Sequence, residues 1–287
     1  MRRLLALVAL LLAGCDGGRE AMVTVLDENY RAELVGSEAD GFTAPDGLLW
    51  HDGALIMADE GGSAVRVWRR GQPVRTLAGA GAGFASPEDL VRDSAGNLYV
   101  SDDDAGGVVR IDLQGRTTRL VGTIASTEGI ALAPSGLLLI GDQHGRRILA
   151  VAPDGRVAVL VGREAGIAKP ESLAFDDAGN LYIADNRDDR LYLLTRDGRL
   201  HRPIGGRDGF SPESILFAGG TLYITDSKHG AVWRYTPEDG LAAIAVFSGD
   251  FANVQGIAAD PSGNLYVSVQ ADLDGGRSYV LRLARRR

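Results

Sequence analysis

Pro170-Glu171-Ser172-Leu173-Ala174-Phe175, a turn at Ala178-Gly179-Asn180, then Leu181-Tyr182-Ile183-Ala184-Asp185: the chain repeats this phrase six times. The other copies open at Pro45-Asp46, Pro87-Glu88, Thr127-Glu128, Pro212-Glu213 and Val254-Gln255. Five of the six close on an aspartate, Asp59, Asp102, Asp142, Asp185 and Asp226, and the sixth closes on Val269. The leading residue recurs at intervals of 42, 40, 43, 42 and 42. A fixed period of that size marks a repeat architecture in which each unit stacks on the next to bury its apolar face.

Within each unit the apolar run after the leading residue reads as one strand. A glycine-bearing turn such as Asp52-Gly53, Gly96-Asn97 or Gly179-Asn180 supplies the positive φ that a hairpin needs, and a second strand follows. Third strands fall at 65–69, 108–113, 148–152, 191–195, 232–236 and 279–283, and fourth strands end on Gly79, Gly122, Gly162, Gly205 and Gly249. Four antiparallel strands every 40 to 44 residues predict propeller blades. The sixth unit lacks a fourth strand, whereas Arg31 to Val35, followed by Gly36, matches the fourth strand Thr118-Arg119-Leu120-Val121-Gly122. The prediction is therefore an all-β, six-bladed β-propeller of four-stranded antiparallel blades, closed by the N-terminal strand (about Arg31 to Val35) joining the C-terminal blade. Closure of that kind removes the open edges of a linear array.

Residues 1–15 read as a targeting segment, with Arg2 and Arg3 as its charged end and an apolar stretch, Leu4 to Leu12, too short to span a bilayer. Leu12-Ala13-Gly14-Cys15 resembles a bacterial lipobox, which implies acylation at Cys15, the only cysteine in the chain. Residues 16–22 are then a tether and 23–287 a single domain. The expected location is the bacterial cell envelope, lipid-anchored on the extracytoplasmic side of the inner or the outer membrane. Glycine accounts for 39 of 287 residues, as many tight turns require, and the net charge is −8. An acidic surface repels phosphate backbones, so nucleic acid is excluded as a partner class.

The repeated phrase resembles the NHL repeat over all six units and, more loosely, the gluconolactonase and senescence-marker group of six-bladed propellers. In a propeller the first strand of each blade lines the axis, so Asp46, Glu88, Glu128, Glu171, Glu213 and Gln255 should form an inner ring. Asp59, Asp102, Asp142, Asp185 and Asp226 should form a neighbouring one, either facing a ligand or capping their own turns. So many carboxylates at one mouth must be spread, protonated, paired with NH groups or bridged by a cation, and calcium accepts such oxygens in loose geometry. The lactonase resemblance implies a metal on Asp46, which Trp50 follows four places later, together with Glu171 and Glu213. Glu128 is then the candidate catalytic base of a calcium-dependent hydrolase or lactonase.

Glu88, Glu128, the five aspartates, and His144 and His229 just beyond Asp142 and Asp226 are the candidate binding residues. Two histidines on one face fall short of the histidine-held zinc of a related lyase family. Repeats this uniform leave no blade with a distinctive catalytic set. Binding of a small ligand or a protein partner through the acidic face is therefore expected ahead of catalysis, with the calcium-dependent lactonase as the alternative. The column Phe42, Phe84, Ile124, Ile167, Phe210 and Phe251 is expected to plug the spaces between blades.

Overall fold

A computed structural model describes residues 8–12, 21–122, 124–205, 209–270 and 277–286, with the backbone alone for 8–12 and 21. Among these residues are β-strands and four short 3-10 turns and no α-helix. The strands make six antiparallel sheets, one for each repeat. Blade four is representative, with strands Pro170–Phe175, Leu181–Asp185, Arg190–Leu194 and Leu200–Gly205 in sequential order. The second strands are buried along nearly their whole length, as in Ala54–Asp59 and Leu181–Asp185. A strand covered on both faces reads as a continuous apolar run rather than as an alternating one, as Ala54-Leu55-Ile56-Met57-Ala58 does.

The core is divided into six clusters, each spanning one junction between neighbouring blades. Every junction holds one member of the predicted plug column: Phe42, Phe84, Ile124, Ile167, Phe210 or Phe251, none more than 8% exposed. A propeller blade has no core of its own, and burial of these side chains, worth about 1.5–3 kcal/mol each, is realised only when two blades meet.

Closure of the ring follows the prediction. Strand β3, Tyr30–Ser37, pairs antiparallel with Tyr279–Arg285, setting Leu34 opposite Leu281 and Ala32 opposite Leu283. The N-terminus does more than this. Strand β2, Ala21–Val25, adds a fifth strand to blade five by pairing with Gly240–Ser248, and β1, Val8–Leu12, pairs in turn with β2. Val23 and Val25 of β2 are buried in the junction of blades five and six. Ala21 and Met22, assigned to the tether from the sequence, belong to β2; Cys15 lies outside the described residues.

The closing aspartates set the architecture. Asp59, Asp102, Asp185 and Asp226 are wholly buried and Asp142 is 3% exposed. Asp59 Oδ1 accepts from the backbone N–H of Thr43 and Ala44, both at 2.8 Å. Asp102 does the same for Ala85, Ser86 and Ala105, and Asp185 for Ala168, Lys169, Arg187 and Asp188. Asp226 accepts from the N–H of Ser211 and His229 and from Trp233 Nε1, and Asp142 from Gly145 N–H and Arg147 Nε. The five expected as binding residues therefore bind the chain itself: Asp59, Asp102, Asp185 and Asp226 hold the loop before their blade, and Asp102, Asp142, Asp185 and Asp226 the turn after it. Replacing Asp185 with alanine strands several donors at once and should cost at least about 3 kcal/mol. The expected fall in Tm is roughly 6–12 °C by calorimetry.

Candidate metal centre on the propeller axis

Each first strand begins with a register shift against the second. In blade one the pairing jumps from Pro45 with Asp59 to Leu48 with Met57, so the first strand carries one extra residue. The same irregularity stands at Pro87/Leu90, Thr127/Ile130, Pro170/Ser172, Pro212/Ile215 and Val254/Ile257. A bulge bends its strand and re-aims a side chain. Here it falls on the acidic position of every blade and turns that residue toward the axis. Small or polar residues follow the acid: Gly47, Asp89, Gly129, Ser172, Ser214 and Gly256. Gly256 has no alternative, because a Cβ there would lie 2.1 Å from Asp46 O.

Five of the six predicted inner-ring residues come together; the sixth, Gln255, does not line the cavity they form and donates its Nε2 to Asn253 Oδ1 at 2.8 Å. Asp46, Glu88, Glu128, Glu171 and Glu213 line one small axial cavity together with the residues that follow them. Its volume is about 20 Å³, room for about one water molecule or one ion. An organic ligand cannot enter it and would have to sit above it.

A third column completes the ring, formed by the residues just after the closing residue of each second strand. Gln143 Nε2 donates to Glu128 Oε1 at 2.5 Å, Asn186 Nδ2 to Glu213 Oε2 at 3.0 Å, and Ser227 Oγ to the same Glu213 oxygen. Gln270 Nε2 bridges Asp46 Oδ2 at 3.2 Å and Glu60 Oε2 at 3.0 Å, while Ser86 Oγ donates to either Glu60 or Glu88. Lys169 Nζ lies 3.0 and 2.9 Å from the two oxygens of Glu171.

Charge compensation is therefore one-sided. Lys169 serves Glu171 and raises its own pKa there: burial works against the cation, and the fields of Glu171 and Glu128 outweigh it. Across the axis Asp46, Glu60 and Glu88 each offer an oxygen within 4.8 Å of the other two, and among the described residues no basic side chain pairs with any of them. Desolvation and the charge of Asp46 push Glu88 up to about 11. Desolvation, Glu213 and Glu60 raise Asp46 well above the carboxylate range, and desolvation with Glu128 does the same to Glu171. Glu128 rises to about 7, chiefly by desolvation and against the pull of Lys169.

The metal set expected from the sequence was Asp46, Glu171 and Glu213. All three line the axial cavity; Asp46 also groups with Glu60 and Glu88, while Lys169 pairs with Glu171, and Asn186 and Ser227 donate to Glu213. Trp50 does not reach the axis; it stacks on Tyr266 at 4.7 Å in the junction of blades one and six. His144 is exposed, and His229 Nδ1 rests on Asp226 Oδ1 at 2.9 Å, so neither joins the axial cluster. Glu60 and Lys169 were missed as site residues. Glu60 belongs to a column that is polar but of mixed residue type, and Lys169 occurs in one blade only.

No protein-family model matches the sequence, and no curated protein matches it significantly. Solved structures do match. A gluconolactonase from Xanthomonas campestris aligns over 96% of this chain and 95% of its own at 19% identity, with a TM-score of 0.70. The calcium-binding protein regucalcin from Agrobacterium tumefaciens aligns over 94% and 95% at 20% identity and 0.68. Virginiamycin B lyase from Staphylococcus aureus aligns over 89% and 100% at 13% identity and 0.66. At these identities the likeness is one of fold.

The ring makes stability depend on pH. A carboxyl whose folded pKa is raised above its unfolded value contributes stability that is full below about 4.5 and is lost as pH rises through the folded pKa. With a chelator present, Tm should fall from pH 5 to pH 8 as Glu128 ionises near 7, and fall further toward the value of Glu88 near 11. Melting curves across that range check the slope; a Tm that rises over it would contradict the ring electrostatics.

Proposed function

We propose that this chain is a calcium-binding propeller that holds one ion on its axis through Asp46, Glu60 and Glu88 and offers the acidic face around it to a ligand or protein partner. The observation that carries this reading is the cluster of three carboxylates, with no basic side chain paired to them among the described residues, beside a cavity of ion size. Oxygens that share one calcium lie at 2.3–2.6 Å from it, so they stand within about 5 Å of one another, as these do. The set is wholly of hard oxygen donors, which suits calcium rather than a thiolate- or imidazole-seeking metal. Bound there, the ion would supply the positive charge that protons must otherwise provide. Gln270 orients two of the three carboxylates and leaves their charge unchanged.

A second reading makes the same centre part of a lactonase-type hydrolase. What favours it is Glu128, whose pKa near 7 suits a group that takes up and returns a proton, standing on the same ring. Its substrate would lie above the ring, within reach of the acidic face. In this reading calcium would polarise a substrate oxygen, and Gln143 would hold Glu128 in place.

The envelope location belongs to the same proposal. Cleavage before Cys15 would remove β1 and keep β2 and β3, so ring closure does not depend on the leader. Radiolabelled palmitate should enter the wild-type chain in a bacterial host and fail to enter Cys15→Ser; equal labelling of both would end the anchoring reading.

Calcium at about a hundredfold its Kd should raise Tm at neutral pH by roughly 5–10 °C over a chelator control. Glu88→Gln should remove most of that shift, while Glu171→Gln should keep it. The opposite pattern would restore the ligand set expected from the sequence, and no shift in the wild-type protein would overturn the calcium reading.

A further inference from the structure

Below the acidic ring the axial channel changes character. First-strand residues of all six blades enclose a second space of about 300 Å³, with Asp89, Ser172 and Ser214 at its upper end and aliphatic and aromatic side chains beneath. The same three residues also line the ring cavity, so they form the floor between the two spaces. The first strands run away from the acidic face, so Leu49, Val91, Leu132, Phe175 and Phe217, near their far ends and half-buried, surround the opening on the opposite face. A volume of 300 Å³ is that of a small-ligand pocket.

Asp89 is the polar end of this space. Its Oδ1 accepts from Leu90 N–H at 2.7 Å and its Oδ2 from Ile130 N–H of the next blade at 3.0 Å. These bonds fix the carboxylate and use two of its roughly four acceptor positions. No Lys, Arg or His pairs with it among the described residues. The other charged residue of the lining, Arg92, stands three residues further along the strand, toward the far mouth. A fixed acceptor-only group at the closed end calls for a donor, and the walls beneath it call for a hydrocarbon chain. The cation at the mouth disfavours a second positive charge at the other end of the ligand.

We propose that the lower half of the axial channel binds a linear alkylammonium, its head on Asp89 beside Ser172 and Ser214 and its chain along the apolar walls toward the face opposite the acidic ring. This site is independent of the calcium reading, because it opens on the other face and uses none of the three ring ligands. The geometry selects one chemical class: a monocation with an apolar tail, rather than a diamine, a fatty acid or an alcohol.

Isothermal titration on the full chain, with calcium in excess to occupy the ring, tests this with octylamine, octanol and 1,8-diaminooctane. Octylamine should bind roughly tenfold or more tightly than octanol, the difference expected for a hydrogen-bonded charge, and more tightly than the diamine. Asp89→Asn should bring octylamine down to the level of octanol. Methyl NMR of the wild-type protein locates the ligand whether or not that variant folds: resonances of Leu49, Val91 and Leu132 should move on addition of octylamine. Equal binding of amine and alcohol, no binding of the amine, an unaffected Asp89→Asn, or shifts confined to the acidic face would each overturn the proposal.

Discussion

The structure depends on one interaction repeated in four of the six blades, a buried carboxylate at the end of the second strand taking N–H groups from the loop that leads into its own blade. Asp59 holds Thr43 and Ala44, Asp102 holds Ala85 and Ser86, Asp185 holds Ala168 and Lys169, and Asp226 holds Ser211. Hydrogen bonds to a charged acceptor are worth about 1.5–3 kcal/mol each, and here they fix the residues just before the axial acid. Two consequences follow from this single anchor. The plug residue of the same loop is set into its blade junction, and the acid enters the axis from a bulge whose start is pinned.

That arrangement creates an electrostatic cost at the centre of the molecule. Five acids are turned toward one narrow space, and water can do little to screen them there. The two halves of the ring deal with it differently. On one side Lys169 supplies a resident cation, and amide and hydroxyl donors occupy Glu128 and Glu213. On the other side Asp46, Glu60 and Glu88 receive only the neutral donors Gln270 and Ser86, so their mutual repulsion is offset only by protons or by an outside cation. Blade six, which carries Gln255 and Val269 where the others carry acids, borders this second half through Gln270. Its departure from the repeat places neutral amides where further carboxylates would deepen the repulsion.

What could be read from the sequence was what recurs. The period, the blade count, closure by the strand near Arg31 to Val35, the inner acid column and the plug column all repeat, so each blade restates the inference drawn from the others. The features that escaped are of two kinds. Some are single events: Lys169 appears once, and β2 joins blade five through a pairing that no other blade has. Others are geometric: a bulge leaves little mark on hydrophobic periodicity, though the Gly, Ser and Asp that follow each acid are its trace. The grouping of Asp46 with Glu60 and Glu88 escaped for the same reason. Resemblance could not show that Lys169 pairs with Glu171 while Glu60, in the third column of blade one, stands beside Asp46 and Glu88.

Joining the first strand to the last also sets a schedule for making the protein. Tyr279–Arg285 is synthesised more than 240 residues after its partner β3, a wait of roughly 12–50 s at ordinary elongation rates. For that interval β3 has no partner, and blade six cannot be finished by any amount of local folding. A chain terminated anywhere before Tyr279 would have at most five complete blades and no means of joining the two ends. The closure strand thus acts as a test of completeness: only a full-length translation product can hide its last edge, and a shortened one remains visible to the cell's proteases and chaperones.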